Sequence, residues 1–351
     1  MKKTILTVAF ILMVTLVLAA CANDSSETVK STRQIYLYGE QHGVEKIMDK
    51  QLELWGEYYR NDNMRHLFVE LPCYTAEFLN IWMRSDSGDI LDEIYDEWAG
   101  TAMYVPYTKV FYTTIKSQYP ETIFIGTDIG HQYNTTGERF LRYLEENNLK
   151  DSDQYLLTQR AIDQGKHYYG NSNDLAYRVT QMTENFIREF DKLADKNIMG
   201  IYGSAHTALG NMQNQSFSTM AERLKERYGD AVHLESLTWL AQDADPLKTD
   251  VITVGGKEYE ATYFGEQDLS GFGMDFISRE FWRLENAYND FKDKPKTGDV
   301  LPYGNYPMQI ETGQIFVIDY TKSDGTVTRM YYRSDGNSWQ GSPATEEFRI
   351  D

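Results

Sequence analysis

Four apolar, strand-like runs of this chain end beside side chains that can transfer protons or bind a metal. In chain order these side chains are Glu40 and His42 in "GEQH", Glu70 in "FVELP", Asp128 in "IGTD" and His206 in "GSAH". Parallel strands share one direction, so their carboxyl ends meet at one edge of a sheet, where the ligands of open α/β sheets bind. A glycine three residues before each histidine lets the backbone turn sharply as it leaves the sheet. The sequence therefore predicts one cluster of imidazoles and carboxylates.

Such a cluster has two chemical uses, and the spacing does not choose between them. It can hold a divalent metal (Mn, Co or Zn) that polarises a carbonyl group and acidifies water. Alternatively, a histidine or glutamate can act without a metal as the general base toward water. The candidate ligands are His42, His206, Glu40, Glu70 and Asp128.

Each of these residues also has a structural interpretation. A histidine after a strand can be a hydrogen-bonding residue of the fold, and Asp128 can cap the next turn. Glu70 lies in an apolar run, where a carboxylate is costly to bury without a partner, so an ion pair with an arginine is the alternative to function. The remaining histidines lack the strand-end context and are expected to be structural: His66, His131, His167 and His233.

Several well-known catalytic motifs are missing from the sequence. It contains no Gly-x-Ser-x-Gly elbow, so a serine mechanism of the α/β-hydrolase type is not expected. It also lacks the His-Glu-x-x-His zinc helix, the phosphate-binding Gly-x-x-x-x-Gly-Lys loop and the Rossmann glycine fingerprint.

The elements that must position the cluster alternate along the first two thirds of the chain. Runs rich in β-branched and aromatic residues predict strands at 34–38, 66–70, 122–126, 197–202 and 231–235. Amphipathic segments between them predict helices, among them 44–60, 174–195 and one that starts with a capping box from Thr135 to Glu138. This order predicts an α/β fold with a mainly parallel central sheet flanked by helices.

The pattern changes after about residue 245. Turn signals at Gly255-Gly256 and at Asp324-Gly325 predict two β-hairpins, and a helix is expected at roughly 272–292 between them. We therefore expect an α/β catalytic-like domain over 33–245 and a C-terminal antiparallel α+β extension over 250–351, whose role the sequence does not give.

The N-terminus has the layout of an export signal. A basic start, an apolar run and small residues predict a signal peptide over 1–20. "LVLAAC" resembles a bacterial lipobox, which implies cleavage before Cys21 and acylation, including palmitate, followed by a polar tether over 21–32. The predicted location is the extracytoplasmic face of the cell membrane, with the membrane as a partner through the lipid. Cys73, the other cysteine, is expected to be a small buried apolar residue.

The charge of the chain excludes one class of partner. The formal net charge is −19, and it becomes −21 when residues 1–20 and their two lysines are removed. A body this acidic repels nucleic acid and anionic lipid surfaces, so no nucleic-acid partner is expected.

Over residues 34–240 the chain resembles the erythromycin esterase/ChaN/Tiki/TraB superfamily. The resemblance rests on "YGEQHG", "FVELP", "GTD", Arg178 and Met182 within "YRVTQMTENF", and "YGSAHTALG" followed by an amphipathic helix and "AVHLESL". It implies an α/β fold with its site at the strand ends. By analogy with esterase-like members, the catalytic residues would be Glu40, His42, Glu70 and His206. The chain departs from the esterase pattern, in which an additional residue separates the glutamate from the histidine.

Two other branches imply different chemistry. Tiki-like members use two Gly-x-x-His motifs in a metal-dependent peptidase, and Gly39–His42 and Gly203–His206 match that pattern. ChaN-like members are surface lipoproteins associated with haem iron. The first hypothesis is therefore a membrane-anchored hydrolase of ester or peptide bonds, acting on a small-molecule or peptide substrate, with Arg178 orienting a carboxylate. The alternative is a haem- or metal-binding surface lipoprotein without catalysis.

Overall fold

The computed structural model describes residues 33–210, 217–269, 275–339 and 342–350. The predicted signal peptide, Cys21 and the tether lie outside these ranges. No helix in the described ranges combines the length and the apolarity that crossing a membrane requires.

The first part of the chain forms the parallel sheet that the sequence predicts. Its five strands are β1 (Ile35–Glu40), β2 (His66–Pro72), β3 (Ile123–Asp128), β4 (Ile198–Gly203) and β5 (Val232–Ser236). They are ordered β3-β2-β4-β1-β5, and every pairing is parallel. The carboxyl ends of the four strands that precede the candidate residues therefore lie side by side.

Helices cover both faces of this sheet. They are α1 (Glu45–Asn61), α2 (Cys73–Met83), α3 (Asp89–Glu97), α4 (Pro106–Gln118), α5 (Glu138–Glu146), α6 (Asp153–Gly170), α7 (Leu175–Lys192), α8 (Ser204–Thr207) and α9 (Met220–Tyr228). Leu67 and Phe68, neighbours in β2, belong to two different hydrophobic cores, one on each face. Burial on both faces explains why the strands read as continuous apolar runs rather than alternating ones.

The capping box expected at Thr135 is wrong. Residues Tyr133–Gly137 form a π-helical turn that follows Gln132, whose φ is 49°. α5 starts after Gly137 without a side-chain cap. A true capping box is present at α9, where Thr219 and Glu222 bond to each other's backbone.

The C-terminal part forms a separate antiparallel sheet. Its strands are β6 (Lys248–Val254), β7 (Lys257–Asp268), β8 (Phe276–Leu284), β9 (Lys296–Pro302), β10 (Ile315–Lys322), β11 (Val327–Arg333), β12 (Ser338–Trp339) and β13 (Ser342–Phe348). The order is β12-β13-β11-β10-β8-β7-β6, and β9 pairs with β13. Both expected hairpins are present, as β6–β7 and β10–β11.

The helix expected at roughly 272–292 is wrong over its described residues. Phe276–Leu284 is strand β8, and only Tyr288–Phe291 is helical (α10). A short apolar run can fit either a helix or a strand by periodicity alone. β8 lies between β7 and β10 and pairs with both, so sheet hydrogen bonds on its two edges decide the outcome.

Candidate functional site

Glu70 lies at the centre of the cluster and is held on both carboxylate oxygens. Its Oε1 accepts from Arg178 Nη2 at 2.7 Å and lies 3.2 Å from His206 Nε2, while its Oε2 accepts from the backbone N–H of Gly203 at 2.5 Å. Burial alone would raise the pKa of Glu70. The positive charge and hydrogen bond of His206, with His42 and Arg178, outweigh burial and hold that pKa well below its usual range. Glu70 is therefore a fixed anion and a poor base.

Arg178 joins Glu70 to Asp128. It projects from α7, and its Nη2 lies between Glu70 Oε1 and Asp128 Oδ2, at 2.7 and 2.6 Å. The Asp128 side chain is 0% exposed. Burial opposes its ionisation, but Arg178 and then His131 lower its pKa well below the usual value. The structural alternative for Glu70 is therefore present, since it forms an ion pair with an arginine, and Asp128 Oδ1 also accepts from the backbone N–H of the next residue, Ile129.

Glu40 and His42 form a second pair beside Glu70. His42 Nδ1 lies 2.7 Å from Glu40 Oε1, and the buried Gln51 donates to Glu40 Oε2 at 2.5 Å. Burial alone would lower the pKa of His42, but its hydrogen bond to Glu40 and the charges of Glu70 and Glu40 raise that pKa to about 9. With Nδ1 engaged by Glu40, His42 Nε2 lies 3.9 Å from Glu70 Oε1. The His42 side chain is 34% exposed.

His206 lies deeper than His42. It sits in the short helix α8 directly after β4, and its side chain is 10% exposed. The contact between its Nε2 and Glu70 places a proton on Nε2, because a carboxylate only accepts. His206 Nδ1 is buried and finds no hydrogen-bond partner among the described residues. This geometry suits a residue that holds Glu70 in place.

His131, expected to be structural, belongs to the same network. Its Nε2 lies 3.0 Å from Asp128 Oδ2 and its Nδ1 lies 2.5 Å from the hydroxyl of Tyr169, at the end of α6. Tyr169 is the second of two adjacent tyrosines, at positions 168 and 169. A signal for His131 was present, since it stands three residues beyond Asp128.

Gly39 and Gly203, which precede the two histidines, allow close packing; their backbone conformations do not themselves require glycine. Neither Gly39 nor Gly203 has a positive φ. A Cβ on Gly203 would lie 3.2 Å from Glu70 Oε2 and 3.3 Å from His42 Nε2, and a Cβ on Gly39 would lie 2.3 Å from Thr207 Oγ1. Gly203 thus leaves space for Glu70 and His42, and Gly39 leaves space for Thr207.

His42 lies between a small pocket and a large cleft. A small pocket of about 50 Å³ is lined by His42, Glu40, Glu70 and Gln51, together with apolar side chains of the part of the chain that forms the parallel sheet. A second, open cleft of about 500 Å³ has His42 and Tyr107 on one side and residues of the C-terminal part on the other. The small pocket has room and polar partners for water. Of the predicted site residues, His42 alone lines the large cleft.

The donor set does not fit a metal ion as arranged here. No group of three or more His, Cys, Asp or Glu side chains in the described ranges is placed to hold one. Both oxygens of Glu40, Glu70 and Asp128 already accept hydrogen bonds, and the Arg178 guanidinium lies between Glu70 and Asp128. The metal site and the haem alternative stay predictions.

No protein-family model matches this chain, and no curated protein matches it. Three solved structures resemble it. A Bacillus cereus protein solved by structural genomics has a TM-score of 0.41 and 15% identity; the match covers 58% of this chain and 65% of that one, just under two thirds. A mutant of the erythromycin esterase EreC in its open conformation has a TM-score of 0.44 and 11% identity, over 66% and 76% of the two chains. A succinoglycan biosynthesis protein has a TM-score of 0.42 and 13% identity, over 72% and 77%. These likenesses are distant, and the superfamily resemblance drawn from the motifs stays a prediction.

Proposed function

We propose that this chain hydrolyses a carboxylic ester or peptide bond, with His42 as the general base toward water. The observation that carries the proposal is the Glu40–His42 pair, whose imidazole stands between a pocket with room for water and a cleft with room for a substrate. A carboxylate that orients a histidine is a common arrangement for proton transfer in hydrolysis.

The proposed reaction needs a neutral His42. Its Nε2 takes a proton from water as the water oxygen attacks the carbonyl carbon of the substrate. Glu40 fixes the Nδ1–H tautomer and stabilises the imidazolium that forms. His42 then returns the proton to the leaving oxygen or nitrogen as its bond to the carbonyl carbon breaks, so that acid and alcohol, or acid and amine, are released.

Glu70 and its partners are assigned a positioning role. Because Arg178, His206 and the Gly203 N–H hold both of its oxygens, Glu70 is a preorganised negative charge 3.9 Å from His42 Nε2. Such a charge stabilises the imidazolium without reorganising during the reaction.

A panel of esters and peptide amides tests the proposal on the full-length chain. We expect His42→Ala to lower kcat/KM by about 10²–10⁴-fold, the usual contribution of a general base. The matched control is His233→Ala, because His233 is exposed on β5 and stacks on Tyr36 away from the cluster. Absence of hydrolysis across the panel would refute the proposal, and so would full activity of His42→Ala.

Metal analysis separates the chemical alternatives. Activity that a chelator abolishes and that Mn, Co or Zn restores would replace the metal-free mechanism with a metal-dependent one. A Soret shift on adding haemin, lost in His206→Ala, would favour the haem-binding alternative.

We also propose that the chain is anchored by lipid on Cys21 to the extracytoplasmic face of the membrane. The support is the sequence "LVLAAC" with the polar stretch that follows it. Labelling with a palmitate analogue should mark the wild-type chain, and Cys21→Ser should remove the label and release the mature protein from the membrane fraction. Equal labelling of both would refute the anchor.

A further inference from the structure

The large cleft beside His42 is shared by the two sheets. Its first wall consists of residues 41–45, the 102–110 segment and Ala241, and its second wall consists of Glu266–Asp268 and residues 304–307. The C-terminal part, whose role the sequence does not give, therefore forms one side of the route to His42.

The second wall is firmly placed. Arg279 Nε donates to Gln267 Oε1 at 2.8 Å, and its Nη2 donates to the carbonyl of Asn305 at 2.9 Å, so one buried guanidinium joins the two segments of the wall. The backbone N–H of Ala244 donates to the carbonyl of Pro307 at 2.9 Å, so the second wall is hydrogen-bonded to the segment that follows β5. The register of β7 and β8 shifts between Tyr263 and Glu266, so the strand is irregular where it reaches the cleft.

Charge is distributed unevenly around the cleft. Three carboxylates line it, from Glu45 on the first wall and from Glu266 and Asp268 on the second, and all three residues are exposed. Among the described residues that line the cleft there is no lysine or arginine. The cations on or beside these segments each have a partner: Lys46 pairs with Asp243, Lys109 with Asp92, and Arg279 donates to Gln267 within the second wall.

The rest of the lining is mainly apolar. It includes Val44, Val105, Val110, Ala241 and Pro307. An apolar body would be buried here, while carboxylates in a recess attract positive charge and repel negative charge more strongly than they do on an open surface.

We propose that the C-terminal sheet is the specificity wall of this cleft, and that it selects a substrate with an apolar body and a positively charged group. Anionic substrates, such as phosphoesters and acidic peptides, are rejected. The inference rests on the proposed function in taking this cleft as the substrate's route to His42, and Glu266 is its central specificity residue.

Binding of uncleavable ligands to the full-length chain tests the wall separately from catalysis. The probes are three six-carbon alcohols whose far ends carry a trimethylammonium, a tert-butyl or a sulfonate group, measured by calorimetry at two ionic strengths. We expect the ammonium to bind about 3- to 10-fold more tightly than the tert-butyl isostere and the sulfonate to bind most weakly, with the difference shrinking as salt rises.

Substitutions of one side chain locate the effect. Glu266→Gln should reduce the preference for the ammonium about threefold, and Glu266→Lys should reverse the order of ammonium and sulfonate. The matched control is Glu258→Lys, because Glu258 is also an exposed glutamate of β7 but does not line the cleft. The control should keep the wild-type order.

Two outcomes would overturn the inference: equal binding of ammonium and sulfonate by the wild type, or an order that Glu266→Lys leaves unchanged. Because the probes contain no scissile bond, an ammonium preference in a chain that hydrolyses no ester or peptide would refute the proposed hydrolase and support the charge-selective wall.

Discussion

Each of the three carboxylates at the edge of the parallel sheet is paired with a different histidine. The pairs are Glu40–His42, Glu70–His206 and Asp128–His131. The three imidazoles differ in exposure, at 34% for His42, 20% for His131 and 10% for His206. Since a general base must reach its proton, exposure favours His42 for the proposed proton transfer and the other two for positioning.

The raised pKa of His42 predicts an alkaline activity profile. A base acts in its deprotonated form, and the pKa of His42 is raised to about 9 by Glu40 and Glu70. We therefore expect kcat/KM to rise about tenfold per pH unit from pH 7 and to level off above about 9. Glu70→Gln removes one of the two negative charges, so the midpoint should move to lower pH. A profile that falls between pH 7 and 9 would contradict the role of base.

His131 is predicted to position Arg178 through Asp128. His131→Ala removes the hydrogen bond to Asp128 Oδ2, the same oxygen that holds Arg178 Nη2. We expect kcat to fall between about 10- and 100-fold with little change in KM, as for a misplacement of about 1 Å. His131→Gln should restore most of kcat, because its amide can donate to Asp128. Equal losses in the two variants would contradict a positioning role, and His167→Ala is the control.

Most residues of this cluster could be predicted from the sequence because they stand at the carboxyl ends of parallel strands. Residues at the carboxyl ends of parallel strands must share an edge, so Glu40, Glu70, Asp128 and the two glycine-linked histidines could be predicted without knowing the strand order. Gln51 could not be predicted, because a glutamine within an amphipathic helix carries no signal until the helix is docked. His131 was expected to be structural although it stands three residues after Asp128, because that spacing joins the two side chains only where the chain turns between them, as it does at Ile129–His131.

At the level of elements, the contact between α6 and the loop after β3 sets the position of Tyr169 relative to His131. Gly130 and Gly165 pack directly against each other: a Cβ on Gly165 would lie 2.0 Å from the carbonyl oxygen of Gly130. This close approach brings Tyr169, four residues further along α6, to His131. A helix can come so near a loop only where neither residue has a side chain.

Two glycines of α6 offer a matched pair of substitutions. Gly165→Ala should destabilise the protein by about 1–3 kcal/mol, the usual cost of overpacking, and should lower activity by moving Tyr169 and His131. Gly170→Ala places a Cβ where no atom lies within 4 Å, so it should be neutral or stabilise by up to about 1 kcal/mol. Urea denaturation measures both. Equal midpoints for the two variants would contradict the contact.

At the scale of the whole molecule, the sequence predicts a parallel and an antiparallel sheet but does not predict the contacts between them. Apolar runs without alternation predict the parallel sheet, and Gly-rich turns predict the antiparallel one. The segment at 276–284 was misassigned because a short apolar run fits a helix or a strand by periodicity alone, and its pairing with β7 and β10 decides between them. The shared cleft was also unforeseen, since the contacts of Ala244 with Pro307 and of Gln242 with Tyr303 join segments about 60 residues apart.

The same buried charges predict that stability and activity have different pH optima. Folding lowers the pKa values of Glu70 and Asp128 below their unfolded values of about 4, so their contribution is present above about pH 4.5 and is lost as pH falls further. Folding raises the pKa of His42 from about 6.5 to about 9, so its contribution is complete below pH 6.5 and is lost as pH rises through 9. The free energy of unfolding from urea titrations should therefore peak between about pH 4.5 and 6.5. His42→Asn should flatten the decline between pH 6.5 and 9, and an undiminished decline in that variant would contradict the assignment to His42.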